Sequence, residues 1–323
     1  MVCLFWAFLF LGAGCSHFLS GWSVRHGALQ GYYPDTTRVL GSGTGLTGGY
    51  VRSEVEDKLE KRRAAIFLVT RDTVLRTYDG PGWILSMDRT GTIVWAIGAT
   101  LKKEGQGSDY RLLRSEDNGK SWKERGPISA LSLIKVLAVG PNEVWALGAR
   151  TLVRTADGGK TWQAVQAPGE RDPYKESLSV QGRSVLLLGQ GILATRNGGR
   201  TWEKRLWPDV QIVDISGEVL LAKSDSTHRV GVLTHGGVQW LASFEKKMWP
   251  FRLVVEGKAI RFLAVPSDAF LGSGMYLYES YDYGKSWRKT FILCRASEGA
   301  VDIGPGGSGL AVNVKGELLL PGR

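Results

Sequence analysis

The chain has 323 residues, of which 43% are apolar and 22% charged, and 41 Lys and Arg against 31 Asp and Glu give a formal charge of +10. That balance excludes an intrinsically disordered chain and a collagen-like repeat. Glycine (43 residues) and tryptophan (12) are both frequent, so many tight turns accompany many large aromatic anchors, as in an all-β protein; three cysteines cannot build a disulfide framework.

Val2 to Leu11 is almost wholly apolar and runs into Gly12, Ala13, Gly14 and Cys15, too short for a membrane span but suited to a signal-peptide core. Residues 1–14 are therefore expected to be a signal peptide. The small residues before Cys15 resemble a bacterial lipoprotein signal, which implies lipidation of Cys15, export and a membrane anchor at the periplasmic face of the envelope. Cleavage without lipidation, or a buried apolar strand, is the alternative. No later apolar run is long enough to cross a bilayer.

Residues 15–63 read as a linker with an early strand and a short helix. Gly43-Thr-Gly45-Leu-Thr-Gly48 matches G-x-G-x-x-G, but the βαβ context of a dinucleotide site is absent. A glycine-rich linker into a solvated helix over Val51 to Arg63 accounts for it better, with Glu54–Lys58 and Asp57–Lys61 pairs at i,i+4. From residue 64 to 323 strand signals dominate. Ala64 to Thr70 and Thr73 to Tyr78 come first; Trp83 then opens an inner strand, because the step of 12 residues from it to Trp95 leaves no room for both an outer and an inner strand. Val94-Trp95-Ala96-Ile97-Gly98 returns as Val144-Trp145-Ala146-Leu147-Gly148.

A second element repeats in the same phase. Ser115-x-Asp117-x-Gly119-x-Ser121-Trp122, Thr155-x-Asp157-x-Gly159-x-Thr161-Trp162, Thr195-x-Asn197-x-Gly199-x-Thr201-Trp202 and Ser280-x-Asp282-x-Gly284-x-Ser286-Trp287 are near-copies, with a worn fifth ending at Trp240. Their tryptophans step by 40, 40, 38 and 47 residues, the length of one four-stranded propeller blade. An Asp or Asn side chain accepts hydrogen bonds from nearby backbone N–H groups, and the glycine takes a positive φ. The tryptophan starts the next strand and buries its ring against the blade. Asp117, Asp157, Asn197 and Asp282, with Trp122, Trp162, Trp202 and Trp287, are accordingly structural. The pattern predicts an all-β propeller of four-stranded antiparallel blades over 64–323. Three tail strands are completed by an N-terminal strand that closes the ring. The strand inventory favours seven blades and leaves six as the alternative.

The turns resemble the Asp-box, or bacterial neuraminidase repeat. Among its carriers the chain looks most like exported propellers related to the photosystem II stability and assembly factors, and more distantly like sialidases. The first resemblance implies a non-enzymatic scaffold that holds a protein partner, membrane-associated or in the envelope. The second implies a glycosidase with an arginine clamp and a tyrosine nucleophile. The sialidase Phe/Tyr-Arg-Ile-Pro motif is missing before Ser115; the nearest string, Phe251-Arg252-Leu253-Val254, lacks the proline. Glycoside hydrolysis stands as the enzymatic alternative and an envelope immunity or inhibitor protein as a second binding alternative; a glycan ligand stays open.

No metal or cofactor is expected, because the four histidines are scattered without accompanying ligands. No nucleophile elbow and no aromatic-basic nucleic-acid motif occurs. Binding is expected on loops of the face opposite the aspartate turns, in Ala99 to Asp109, Gln166 to Glu176, Lys223 to His228 and Ser243 to Lys258. There Lys102, Lys103, Arg171, Tyr174, Lys246, Lys247, Trp249 and Arg252, with Arg150 at a short turn beside them, combine cations and aromatics. The four clear turns and their outer strands carry eleven basic residues against six acidic, a basic rim on the other face.

Overall fold

The computed structural model describes residues 22–25, 29–41, 43–52, 61–102, 108–128, 133–148, 151–169, 177–181, 183–189, 191–206, 210–223, 227–234, 237–244, 248–266, 274–293, 299–304, 308–313 and 317–321. They form seven four-stranded antiparallel sheets. Strand β1 (Trp22–Arg25) stands apart in sequence from its sheet. The first blade holds β2 (Tyr32–Gly41), β3 (Thr44–Val51), β4 (Arg63–Thr70) and β5 (Val74–Pro81). The second holds β6 (Trp83–Thr90), β7 (Ile93–Leu101), β8 (Ser108–Ser115) and β9 (Lys123–Ile128), and the third β10 (Leu133–Ala138), β11 (Val144–Gly148), β12 (Leu152–Thr155) and β13 (Gln163–Val165). The fourth follows with β14 (Ser177–Gln181), β15 (Ser184–Gly189), β16 (Gly191–Thr195) and β17 (Glu203–Leu206). The fifth comprises β18 (Gln211–Ser216), β19 (Val219–Lys223), β20 (His228–Thr234) and β21 (Gly237–Phe244), and the sixth β22 (Met248–Glu256), β23 (Ala259–Pro266), β24 (Met275–Ser280) and β25 (Arg288–Leu293).

The seventh blade takes β26 (Gly299–Ile303), β27 (Gly309–Asn313) and β28 (Leu318–Pro321) from the C-terminus, and β1 from the N-terminus as its outer strand. Trp22 pairs with Pro321 and Arg25 with Leu318. Inner strands touch in the order β2, β6, β10, β14, β18, β22, β26 and back to β2, so the ring closes. Both the seven-blade expectation and the closing N-terminal strand agree with this arrangement.

The core is spread over seams. Trp95, Ile97 and Leu112 of the second blade pack on Leu133, Val136 and Val144 of the third. Trp145 and Leu147 of the third pack on Val185 and Leu187 of the fourth. Trp95 and Trp145 are wholly buried, because the second strand of each blade lies between neighbouring sheets. That is why the Val-Trp-Ala-x-Gly strings are apolar throughout instead of alternating.

The expected linker is corrected. β2 and β3 occupy residues placed in it, and the G-x-G-x-x-G string is most of β3. Its glycines serve close approach: a β-carbon at Gly45 would come within 2.7 Å of Leu310 in the seventh blade, and one at Gly48 within 2.8 Å of Ile84 in the second. The helix expected over Val51 to Arg63 begins and ends in strands β3 and β4, and residues 53–60 between them lie outside the described residues, as does the expected signal peptide with Cys15.

Each aspartate turn is closed by its own side chains. Ser121 N–H and Oγ–H donate to Asp117 at 2.9 and 2.6 Å, and Gly119 N–H donates to Ser115 Oγ at 2.7 Å. The same bonds recur around Asp157 and Asp282. Asn197 keeps them, its Oδ1 accepting from Thr201 N–H and its Nδ2 donating to Thr201 Oγ1. Slight burial works against ionisation of Asp117, yet the donors from Ser121 and Ser115 win and hold its carboxyl at about 2. The worn fifth copy is a tight hairpin in which Thr234 pairs with Gly237.

Candidate functional site at the axial channel

The seven inner strands surround a channel of about 1090 Å3. Five of these strands carry a β-bulge at or before their middle: the register shifts at Pro34/Thr36, Ile84/Ser86, Leu133/Lys135, Ile212/Asp214 and Phe251/Leu253. The extra residue of each, namely Asp35, Leu85, Ile134, Val213 and Arg252, lines the channel. A bulge re-aims a side chain that strict alternation would bury in a seam. Arg252 shows the cost, with a φ of 54° that non-glycine residues seldom adopt.

Polar ties cross from blade to blade around this wall. Asp88 accepts from Ala138 N–H at 2.9 Å, Asp214 from Leu253 N–H at 2.8 Å, and Asp302 from Val39 N–H at 2.8 Å. Gln181 Nε2 donates to the Gly217 carbonyl at 2.7 Å. Arg38 sits 3.4 Å from Asp88 and Arg252 2.5 Å from Asp302. Burial opposes the charge on Arg252, but Asp302, Asp214 and Asp88 outweigh it and raise the guanidinium above its usual range. Burial raises the Asp214 carboxyl against the Leu253 and Ile215 N–H donors and Arg252. These carboxylates are architectural pins, each holding a backbone N–H of the neighbouring blade.

Asp35 differs. It is open to channel water yet enclosed by the surrounding strands, and that desolvation pushes its carboxyl up to about 7 against the pull of Arg62. Beside the wall, Arg52, Tyr33, Tyr50 and Arg62 form a column: the tyrosines stack at 5.1 Å, with Arg52 3.9 Å from the first ring and Arg62 4.1 Å from the second.

Antiparallel order places the first and third turns of every blade on one face, and the second turns and blade connections on the other. Trp249 follows a connection and Lys223 ends a second strand, so both mark the mouth of the channel on the face opposite the aspartate turns. Trp249 is 55% exposed and Lys223 Nζ lies 4.9 Å from its ring centroid.

Of the residues expected to bind a partner, Trp249 and Arg252 line the channel. Both sit on inner strand β22, correcting the reading of Ser243 to Lys258 as a loop: Pro250 and the bulge at Arg252 hid the strand. Arg252 faces Asp302 inside the ring. Lys102 is exposed at the end of β7, 3.4 Å from Asp109, and does not reach the channel wall. Lys103, Arg150, Arg171, Tyr174, Lys246 and Lys247 lie outside the described residues. Asp35, Lys223, Asp214 and Asp302 were not singled out. The last two had a signal, since Val213-Asp214-Ile215 and Val301-Asp302-Ile303 repeat one tripeptide in two inner strands. Among the described residues no group of three or more His, Cys, Asp and Glu is placed to hold a metal ion.

Fold and channel together define a seven-bladed β-propeller closed by its own N-terminal strand. No protein-family profile matches the chain, and no curated protein matches it. Solved structures do. It is similar to a structure described as YCF48 bound to D1 peptide, at 14% identity and a TM-score of 0.61, covering 94% of this chain and 98% of that one. It is similar also to YCF48 from Cyanidioschyzon merolae, with 14% identity, a TM-score of 0.55 and coverage of 94% and 99%. A GH74 enzyme of Niastella koreensis matches with 12% identity and a TM-score of 0.60, over 93% of this chain and 53% of that one. At these identities the likeness is one of fold.

Proposed function

We propose that this chain is a non-enzymatic, exported binding scaffold that holds an extended segment of a protein partner, itself in the envelope or at its membrane, across the mouth of the axial channel. The observation that carries the reading is Trp249, a large ring left more than half exposed at the rim of a cavity of about 1090 Å3, with a lysine beside it. Exposed tryptophan over a concave, mixed polar and apolar wall is the usual anchor of a protein interface. The polypeptide nature of the ligand draws support from the peptide in the YCF48 structure. The turns are read as Asp-boxes on the strength of their shared bonding, and export with lipidation at Cys15 rests on the sequence alone.

The glycosidase reading is weaker. A sialidase-type clamp needs arginines free to grip a substrate carboxylate, whereas Arg38 and Arg252 in the channel wall are each engaged by a protein carboxylate. Affinity capture from the host envelope, in which the wild-type chain retains one protein and Trp249→Ala with Lys223→Ala loses it, supports the scaffold. Turnover of fluorogenic sialosides or β-glucan oligosaccharides by the purified chain, abolished in Asp35→Asn, would replace it with an enzyme.

A further inference from the structure

The face that carries the aspartate turns has a composition of its own. The residue after the turn glycine is a cation in all four clear copies: Lys120, Lys160, Arg200 and Lys285. All four are exposed, and none has a carboxylate within ion-pair distance among the described residues. Equivalent positions in blades related by rotation about the ring axis lie in one plane, so these cations form an arc across a flat surface over the second, third, fourth and sixth blades. Glu124 and Glu203, exposed at the start of their outer strands, are outnumbered there by Lys123, Arg125, Lys204 and Arg205, and the other carboxylates of these turns are engaged. Glu116 is held by Arg114 at 3.0 Å and Arg125 at 3.7 Å, and the turn aspartates face their own backbone N–H groups. The other exposed carboxylates among the described turns of this face, Asp72 and Glu218, sit on the first and fifth blades, which lack the cationic turn.

The sixth blade adds two tyrosines in the same plane. Tyr281 is 58% exposed and Tyr283 36%. Tyr283 has a φ of 62°, at the turn position where the other copies have Asn118, Gly158 and Gly198. Its backbone N–H makes the same bond as those of Asn118 and Gly158, to the Lys258 carbonyl at 2.9 Å. The fold therefore needs the backbone conformation but not the ring, and a bulky side chain in the left-handed region is strained. Strain of this kind is kept where a side chain serves something outside the fold.

We propose that this face docks on an anionic lipid surface, with Lys120, Lys160, Arg200 and Lys285 against the headgroups and Tyr281 and Tyr283 at the interface. A bilayer is the anionic partner that is flat over the whole disc, each cation near its surface adds attraction, and tyrosine rings settle at headgroup level, that of Tyr281 held by its hydroxyl's bond to Glu279 at 2.9 Å. The channel mouth, on the other face, would then point away from the membrane toward a partner. The inference does not depend on that partner.

The test is co-sedimentation of the full-length chain with vesicles of phosphatidylcholine, alone or with about one-third phosphatidylglycerol, at low and high salt. The apolar segment Val2 to Leu11 is common to every arm, so the readout is the difference between lipids. Anionic vesicles should bind about tenfold more strongly or better, with the preference lost at high salt. It should fall about tenfold in the variant Lys120→Gln, Lys160→Gln, Arg200→Gln, Lys285→Gln, several-fold in Tyr281→Ser, Tyr283→Asn, and stay unchanged in Trp249→Ala. Asparagine tolerates the Tyr283 conformation, so the tyrosine variant keeps its turn. Equal binding to both lipids, or an anionic preference untouched by the charge variant, overturns the proposal. So does salt-sensitive retention on polyglutamate without any vesicle preference, which would assign the face to an acidic polypeptide.

Discussion

Asp302 of the seventh blade accepts a hydrogen bond from the Val39 N–H of the first at 2.8 Å, across the seam between these two blades, while its other oxygen meets Arg252 of the sixth blade. One carboxylate thus pins three blades. Only 1% of its side chain is exposed, and a buried carboxylate needs both partners to offset the loss of water.

Asp302→Ala should destabilise the chain by ~3 kcal/mol, because it leaves a buried N–H and a guanidinium without their acceptor. Asp302→Asn keeps an acceptor for Val39 and should cost less. Urea unfolding of both variants measures the order, and equal losses would show that the Val39 bond contributes little.

Asp35 sets a pH dependence of opposite sign to that of the turns. Its folded carboxyl titrates at about 7 instead of 3.8, so its contribution to stability is fully present below pH 4 and is lost as pH rises through 7. Asp35→Asn should therefore melt higher than wild type at pH 8, by an amount on the order of 1 kcal/mol once channel water is allowed for, and equally at pH 4. Carbon-detected NMR titration of the Asp35 carboxyl should give a midpoint near 7; a midpoint near 4 would remove the effect.

The turn carboxylates behave conversely. Asp117 and Asp282 titrate at about 2, so the stability they add is present above pH 4 and fades as pH falls toward 2. Asp117→Ala loses the bonds from Ser121 and should cost ~1 kcal/mol at neutral pH. Asp117→Asn should cost a fraction of that, since Asn197 already closes its turn with the same contacts. Thermal melts at pH 7 compare the two.

Two tryptophans should separate stability from binding. Trp95 fills the seam between the second and third blades, and Trp95→Ala should cost ~3–5 kcal/mol through the cavity it leaves. Trp249 is exposed at the channel mouth, and Trp249→Ala should leave the unfolding midpoint almost unmoved while abolishing partner capture. A large loss of stability in Trp249→Ala would make that ring structural.

Much of the fold was legible in the chain. Turn side chains bond within eight residues and second strands are apolar throughout, so both repeats survive as local strings with a period. Trp83 was placed by counting the residues up to Trp95, and the closing strand by counting strands in the tail. The site was legible only in part. Residue type points to Trp249 and Arg252, but the sequence puts them on a loop, because the bulge at Arg252 adds a residue and breaks the alternation that reveals a strand. The glycines of β3 look like a linker in the sequence because their reason is Leu310 and Ile84, far away in the chain.

What the amino-acid order determined by itself was the blade: four strands, a self-bonded turn and a buried tryptophan, all set by interactions within about forty residues. Only the closed ring decided what the inner strands do. Asp302 meets Val39 and Arg252 through contacts that exist once the seventh blade has met the first and the sixth. No local pattern encodes such contacts, because they depend on the angle at which whole sheets come together.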